Sequence, residues 1–463
     1  MTAHYDLAII GTGSGNSLVT PDFDDKRVAI IESGIFGGTC INVGCIPTKM
    51  FVYTADVAQT VTDGSRFGVD ATIDRVRWTD IRDRIFGRID PISVSGADYR
   101  ENGPNTTAYF GRARFTGERE LTVALTDGGE ATLTADQIVL ATGAAPSIPE
   151  EILASGVPFH TSDTVMRIEA VPERLLILGA GFIAAEMAHV FSALGSRVTV
   201  VARGPGLVRH LDAEISEHFT EVVRGRWDVR TDVTVEEAAT RDGAIELRLT
   251  DGSVVVGDLL LVATGRDPAT GDLDLDSVGI DRHADGRIVV DEHGRTTAAG
   301  VWSLGDASSL HQLKHVANAE ARVVAHNLVH PDDLRAFDHV NIPSAVFSHP
   351  QLATVGLTEE ECVQRGLRYV TKVQRYGDTA YGWAMEDTTS LCKLIADPAT
   401  GLLLGAHVMG AAASNLIQPL IQAMAFNTRV DDVARGQYWI HPALSEVVEN
   451  ALLGLELDPR PSA

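Results

Sequence analysis

The sequence predicts an α/β fold: two Rossmann-like βαβ domains followed by a C-terminal α+β domain. Three observations carry that expectation. A pattern of apolar strand, Gly-rich turn, helix and second apolar strand occurs twice, over residues 5–32 and again over 175–203. Two more apolar strands each run into an Ala-Thr-Gly turn, at 141–143 and 263–265. Beyond residue 338 the pattern changes to short strands at 345–347, 391–395 and 402–409 and an amphipathic helix at 411–426.

In the first unit an apolar run at 5–10 leads into G-T-G-S-G-N at 11–16, and a second run at 28–31 ends on Glu32. Gly11 and Gly13 allow a tight turn and close approach of a pyrophosphate to the backbone, and the following helix offers free N–H groups. Glu32 stands where a carboxylate binds ribose hydroxyls. The third glycine position, which normally allows close helix–strand packing, holds Asn16. A Gly-rich turn alone is often only a loop. Here strand, turn, helix and terminal acid coincide, and a nucleotide site is expected.

The second unit runs through G-A-G-F-I-A-A-E at 179–186 and a helix reaching Leu194 to a strand at 198–201. Ala202 stands where an NAD site would carry an acid, and Arg203 and Arg209 follow. The plain reading is two solvated arginines on a loop. With the acid missing, guanidinium groups suited to a 2′-phosphate make NADPH the expected cofactor.

Between the units, residues 78–98 read as helix and 121–134 as a hairpin turning on D-G-G. A strand at 301–304, then Gly305-Asp306, then a helix at 315–328, return the chain to the first unit. The expected domains are 1–148 and 269–338 for the first nucleotide, 149–268 for the second, and 339–463 for the last domain.

The net charge of −25 argues against nucleic acid or an anionic membrane as partner and reads as a solvated surface. No apolar run is long enough to span a bilayer. The first strand follows Met1 closely, with no secretory leader before it, so a cytoplasmic location is expected. In such a reducing compartment a close cysteine pair is catalytic or metal-binding more often than structural.

G-G-T-C-I-N-V-G-C-I-P-T-K at 37–49 contains such a pair, Cys40 and Cys45. A metal site would want shorter spacing and a second ligand pair, so no metal is expected. Pro47 suits the first turn of a helix, which would put Cys45 near its N-terminus and favour the Cys45 thiolate. Cys362 and Cys392 read as ordinary thiols. Near the other end comes W-I-H-P-A-L-S-E at 439–446. Glu446 could orient the imidazole of His441 as an acid–base partner for a thiol, although a His-Pro pair alone is usually a turn.

Taken together, these motifs resemble the pyridine nucleotide-disulfide oxidoreductases, the group that includes glutathione reductase and dihydrolipoyl dehydrogenase. The resemblance covers nearly the whole chain, in order. The stretches G-T-G-S-G-N-S, G-C-I-P-T-K-M-F-V-Y, Y-G-W-A-M-E-D and G-Q-Y-W-I-H-P-A-L resemble most the branch acting on mycothione. That substrate is the disulfide of an acetylated cysteine joined to glucosamine and inositol.

The resemblance implies FAD and NADPH as cofactors and a small-molecule disulfide as substrate. It implies a homodimer in which His441 and Glu446 serve the partner's cysteines. Cys45 becomes the thiol beside the flavin and Cys40 the one that attacks substrate. Lys49 and Glu186 are expected to pair beside the flavin's reactive nitrogen, and Phe182 to cover the nicotinamide pocket. Implied cofactor contacts are Gly11, Gly13, Ser14, Gly15, Asn16, Glu32, Ser33, Thr39, Lys49, Ala113, Thr142, Gly143, Asp306 and His315. In the second unit they are Gly179, Gly181, Phe182, Ile183, Glu186, Arg203, Arg209 and Gly265. Phe51 and Tyr53 are candidates for substrate contact or for core. Dihydrolipoyl dehydrogenase would want an acid at Ala202, and mercuric or high-molecular-weight thioredoxin reductase would want cysteines in the tail, where there are none. A flavin redox sensor that never turns over is the rival from another class.

Overall fold

Apolar runs form the centre of each sheet. In the computed structural model, which describes residues 2–459, Ala3–Ile10 lies parallel to Val28–Glu32 on one side and to Glu130–Leu140 on the other. Thr106–Gly117 extends the sheet beyond Val28–Glu32, and Val301–Ser303 pairs in parallel with Glu130–Leu140. A strand from late in the chain therefore belongs to the first sheet. Glu120–Leu125 joins as the antiparallel hairpin strand.

The second sheet is parallel, in the order Leu259–Val262, Arg174–Leu178, Arg197–Val201, Asp228–Arg230. Ala144–Pro146 and Arg266–Pro268 pair antiparallel where the chain passes between the two sheets. The C-terminal sheet has five antiparallel strands, ordered Ser344–Val346, Leu352–Gly356, Leu403–Met409, Leu391–Ala396, Val370–Arg375. This is the α/β architecture with an α+β domain that the sequence predicts.

Two local expectations need correction. The helix expected after the first Gly-rich turn is only a 3-10 turn, Gly15–Leu18, followed by another at Pro21–Phe23. Pro21 has no N–H to continue a helix, and Thr20 before it is extended, at φ −87° and ψ 173°. The amphipathic helix expected over 411–426 is split into Ala413–Leu416 and Gln418–Ala425, with Pro419 in the first turn of the second piece.

Asn16 is accommodated because the close packing falls one residue earlier. A Cβ on Gly15 would come within 2.8 Å of the Ala141 side chain. Asn16 faces away and accepts from the Arg100 guanidinium through both its side chain (2.7 Å) and its carbonyl (2.9 Å).

The helix Cys45–Asp63 joins the units. Phe51 stacks on Trp78 at 5.0 Å, and Trp78 lies 5.5 Å from Phe191 of the helix Phe182–Ala193. Phe51 is fully buried and is core; Tyr53 is exposed. Each such ring pair contributes ~0.5–1.5 kcal/mol beyond its buried area. The second unit is also tied to the C-terminal sheet. Buried Lys393 reaches Glu359 (2.6 Å), Asp212 (2.9 Å) and Glu214 (3.2 Å). Asp212 in turn caps the helix Ala213–Val223.

The tightest constraint lies at the first turn. Gly11 has φ +102°, and a Cβ there would sit 2.2 Å from the Ala141 carbonyl oxygen; a Cβ on Gly13 meets nothing closer than 3.9 Å. Gly11→Ala should therefore destabilise the fold by about 1–3 kcal/mol, seen as a lower midpoint in thermal unfolding. Gly13→Ala should leave that midpoint nearly unchanged. Equal midpoints for the two variants would contradict this account of the turn.

Candidate active site

The cysteine loop is built on the first turn. Gly38, at φ +74°, lets its backbone pack on Gly13; a Cβ there would fall 2.6 Å from the Gly13 Cα. The Thr12 hydroxyl donates to Glu32 and accepts from Gly37 N–H at 2.8 Å. The amide of Asn42 donates to the carbonyls of Phe36 (2.9 Å) and Gly38 (3.0 Å), and its oxygen accepts from the Ser93 hydroxyl. Cys40 is presented on the short helix Gly38–Asn42, with Thr39 before it, and Cys45 opens the helix Cys45–Asp63.

The two thiols are hydrogen-bonded in the dithiol form. The S–H of Cys45 donates to Cys40 and lowers the Cys40 pKa to about 7, against burial and with help from Lys314. The same hydrogen bond, with burial and the charge on Cys40, pushes Cys45 up. The pair thus gives up its first proton near pH 7 and above that holds one proton between two sulfurs. The helix dipole expected to favour the Cys45 thiolate thus acts on a proton that the contact between the thiols couples to Cys40 as well.

Around the Gly-rich turn, Glu32 accepts from Thr12 N–H (3.0 Å), the Thr12 hydroxyl and Gly34 N–H (2.8 Å), with Ser33 between the anchored residues. Ser14 donates to Asn318 (3.0 Å) and accepts from the Lys314 ammonium (2.9 Å). Ala113 is buried, on the stretch of Thr106–Gly117 just past Phe110, which pairs with Glu32. Thr142 and Gly143 form the turn after Glu130–Leu140, and the buried Thr142 hydroxyl has no partner. Asp306 lies in the turn Gly305–Ala307, its carboxyl pushed up by burial, and Gly305 N–H donates to buried Glu320 at 2.6 Å. An orphaned hydroxyl beside a glycine cradle fits a bound dinucleotide. His315 does not face this region. It contacts the Pro343 carbonyl at 2.8 Å, because Lys314, one residue earlier, is the side chain turned to the Gly-rich turn.

In the second unit a Cβ on Gly179 would sit 2.1 Å from the Ala263 carbonyl oxygen. Gly181 is the N-cap of the helix that carries Phe182, Ile183 and Glu186, and Gly265 follows the facing strand with φ +133°. Phe182 is 40% exposed. Arg203 and Arg209 are both exposed on the loop after Arg197–Val201. Buried Val208 is held at φ 49°, a strained conformation for a branched residue, by its N–H bond to Ala180 at 2.7 Å. Arg209 folds back against Gly204, so both guanidinium groups share one loop.

Lys49 and Glu186 do not form the expected ion pair. Both contact Phe347 instead: the ammonium lies 3.9 Å from its ring centroid, and the carboxylate accepts its N–H at 2.9 Å. Burial raises the Glu186 carboxyl to about 7 and lowers Lys49. Burial of the carboxylate outweighs the attraction of a lysine at this range. His441 and Glu446 do meet, Nδ1 to Oε1 at 2.7 Å, and the bond holds Glu446 below the usual carboxylate range. They form a pair apart from the thiols, and His441 is 70% exposed.

Sequence reasoning missed Thr12, Lys314, Asn318 and Phe347. Thr12 lies inside the first Gly-rich motif, and Lys314 borders the helix expected from His315. Asn318 and Phe347 carry no local signal.

The fold, the Gly-rich turns and the thiol pair define a two-nucleotide disulfide oxidoreductase, and the comparisons agree. Residues 5–322 match the model of the pyridine nucleotide-disulphide oxidoreductases, and 342–452 match the dimerisation domain of the same family. The chain belongs to this family and is an FAD-dependent oxidoreductase; FAD and NADPH are its cofactors. It is 56% identical to mycothione reductase of Mycobacterium tuberculosis, over 97% of this chain and 99% of that one. It is 35% identical to mercuric reductase of Streptomyces lividans, over 95% and 94%. Among solved structures, the Cu(II) complex of the HOCl-induced flavoprotein disulfide reductase RclA of Escherichia coli superposes with a TM-score of 0.87. The two are 26% identical, over 98% of this chain and 99% of that one.

The shared proton of the thiol pair sets a pH dependence. Cys40 is protonated below about 7 and a thiolate above it. Alkylation of the dithiol form by iodoacetamide should rise through that pH. Cys45→Ala removes the donor, so the midpoint should move up toward the free thiol value of about 8.5. A midpoint that stays near neutrality in the variant would show that the hydrogen bond is not its cause.

Proposed function

We propose that the protein uses NADPH to reduce mycothione to two molecules of mycothiol, through the Cys40–Cys45 pair. The observation that carries this reading is the pair itself: two thiols in hydrogen-bond contact on a loop packed against a dinucleotide turn. The name of the 56% identical relative supports the substrate. Residues 1–148 and 269–338 are assigned to FAD, 149–268 to NADPH and 339–463 to the dimer, in the cytoplasm.

Bound FAD supplies the two-electron relay between nicotinamide and disulfide. The Gly11–Asn16 turn and Glu32 hold the dinucleotide; Glu32 keeps one acceptor site beyond its three donors. Thr142, Gly143, Asp306, Ser33, Thr39 and Ala113 line the rest. Gly179, Gly181, Ile183 and Gly265 form the NADPH turn, Phe182 covers it, and Lys49 and Glu186 set the charge beside the reacting ring. Cys40 attacks one sulfur of the substrate and releases the first thiol. Cys45 then displaces the second and closes the protein disulfide. Each leaving thiolate needs a proton. His441 gives Nδ1 to Glu446, so Nε2 is the atom that delivers it, to the substrate thiolate leaving the partner's thiol pair. Mycothione carries no carboxylates and needs no arginine clamp.

Steady-state assays with NADPH or NADH and with mycothione, glutathione disulfide or lipoamide test the reading. NADPH with mycothione should be the most efficient combination. A preference for NADH with lipoamide would overturn it.

Arg203 and Arg209 are assigned to the 2′-phosphate, each contact worth about 1.5–3 kcal/mol. Arg203→Ala/Arg209→Ala should lose kcat/KM for NADPH while that for NADH changes little. Equal losses with both cofactors would remove the arginines from this role.

His441→Gln should lower disulfide turnover by about 10²–10⁴ while NADPH still reduces the flavin at nearly the normal rate. Unfolding and reassembling inactive Cys40→Ser chains together with inactive His441→Gln chains should restore activity, because one site of each hybrid is intact. Hybrids that form without regaining activity would show that His441 does not serve the partner's cysteines.

A further inference from the structure

One cation near the thiols has no place in the reading so far. Lys314 is the first residue of the helix Lys314–Val329. A positive side chain there opposes the helix dipole, which is positive at that end and favours anions. The lysine is half-buried, and its ammonium donates at 2.9 Å to the hydroxyl of Ser14 in the dinucleotide turn. That hydroxyl is oriented by its own bond to Asn318 at 3.0 Å, one helical turn along. Among the described residues no carboxylate forms an ion pair with Lys314. Its charge reaches Cys40, Cys45 and Asp306, favouring the ionised form of each. A half-buried ammonium with one neutral partner has two donors to spare.

We propose that Lys314 is a cofactor-contacting cation, held by Ser14 and Asn318 between the dinucleotide turn and the thiol pair, which offsets the negative charge the flavin and thiols acquire on reduction. The proposal rests on the disulfide-reductase reading for its consequence in turnover, but not for the contact itself. Three features support it. The position disfavours a cation unless an anion completes it. The ammonium bonds to the turn that holds the dinucleotide. The same charge acts on both sulfurs. Lys49 reaches the site from the cysteine helix and leans on Phe347. Lys314 reaches it from the helix Lys314–Val329 and bonds to Ser14.

The test uses Lys314→Met, Lys314→Gln and Lys314→Arg in the full-length dimer, with two readouts that need no turnover. FAD titrated into the stripped protein, followed by flavin fluorescence, should bind roughly 10-fold or more weakly to the Met and Gln variants, as expected for a lost charge-assisted contact. Arg should restore binding. In the dithiol form, the pH midpoint for alkylation of Cys40 should rise in Met and Gln by up to about one unit and return in Arg. If Met destabilises the fold in circular dichroism, the Gln variant, which keeps a donor for Ser14, carries the comparison. Unchanged FAD affinity together with an unchanged alkylation midpoint in folded variants overturns the proposal. So does a loss in all three variants alike, which would mark Lys314 as structural. If the wild type binds FAD but reduces no disulfide, the proposed function fails while the Lys314 contact is still read from FAD affinity.

Discussion

The molecule depends on an approach between strands that leaves no room for one carbon atom. Gly11 faces the Ala141 carbonyl, and Gly179 faces the Ala263 carbonyl. In each sheet the turn after one strand is pressed against the Ala-Thr-Gly turn of its neighbour. That pinch opens a crevice at the carboxyl ends of the strands, where backbone N–H groups are exposed to a ligand. The cysteine loop inherits its position from the first pinch, because Gly38 packs on Gly13 and Thr12 bonds to Gly37. Moving the turn would move the thiols.

The second dependence is mechanical. The helix that opens with Cys45 also carries Lys49, buried Phe51 and, further along, Asp56. Asp56 bonds to buried His189 at 2.8 Å, and His189 lies on the helix of Phe182 and Glu186. The thiols and the second nucleotide turn are thus fixed to one another through two packed helices rather than through loops. The Lys393 cluster fixes the second unit to the C-terminal sheet in the same manner. Removing one partner of such a buried ion pair costs about 3–5 kcal/mol, so the arrangement resists drift between its parts.

The strands and the main helices were legible in the sequence because each element's signal is local. Periodicity gives the strands, glycine gives the turns, and G-G-T-C-I-N-V-G-C-I-P-T-K gives the thiols. What failed to show depends on contacts across the fold. Pro21 was visible, but the truncated crossover was hidden by the expectation of a regular unit. Asn16 looked like a defect until Arg100, far along the chain, explained it. Lys49 and Glu186 looked like partners, yet Phe347 stands between their roles. His315 was expected at the cofactor and Lys314 stands there instead, because a sequence fixes where a helix starts only to within a residue or two. A single residue turns a side chain by about 100°.

Charge is divided between the buried thiol region and an exposed histidine–carboxylate pair. Within one chain Lys314 favours loss of a proton from the thiol pair, and burial raises the Glu186 carboxyl to about 7, so it is only partly ionised near neutrality. A leaving thiolate still needs a proton. The imidazole suited to that step, His441, sits exposed, with Nδ1 committed to Glu446. A histidine left in solvent, oriented by a carboxylate and flanked by exposed Tyr438 and Ile440, is a surface made for covering. The matched dimerisation domain spans it. If His441 serves the partner's thiols, as proposed above, the thiols and their acid lie on different chains, and assembly becomes a condition of disulfide exchange while reduction of the flavin by NADPH does not need it.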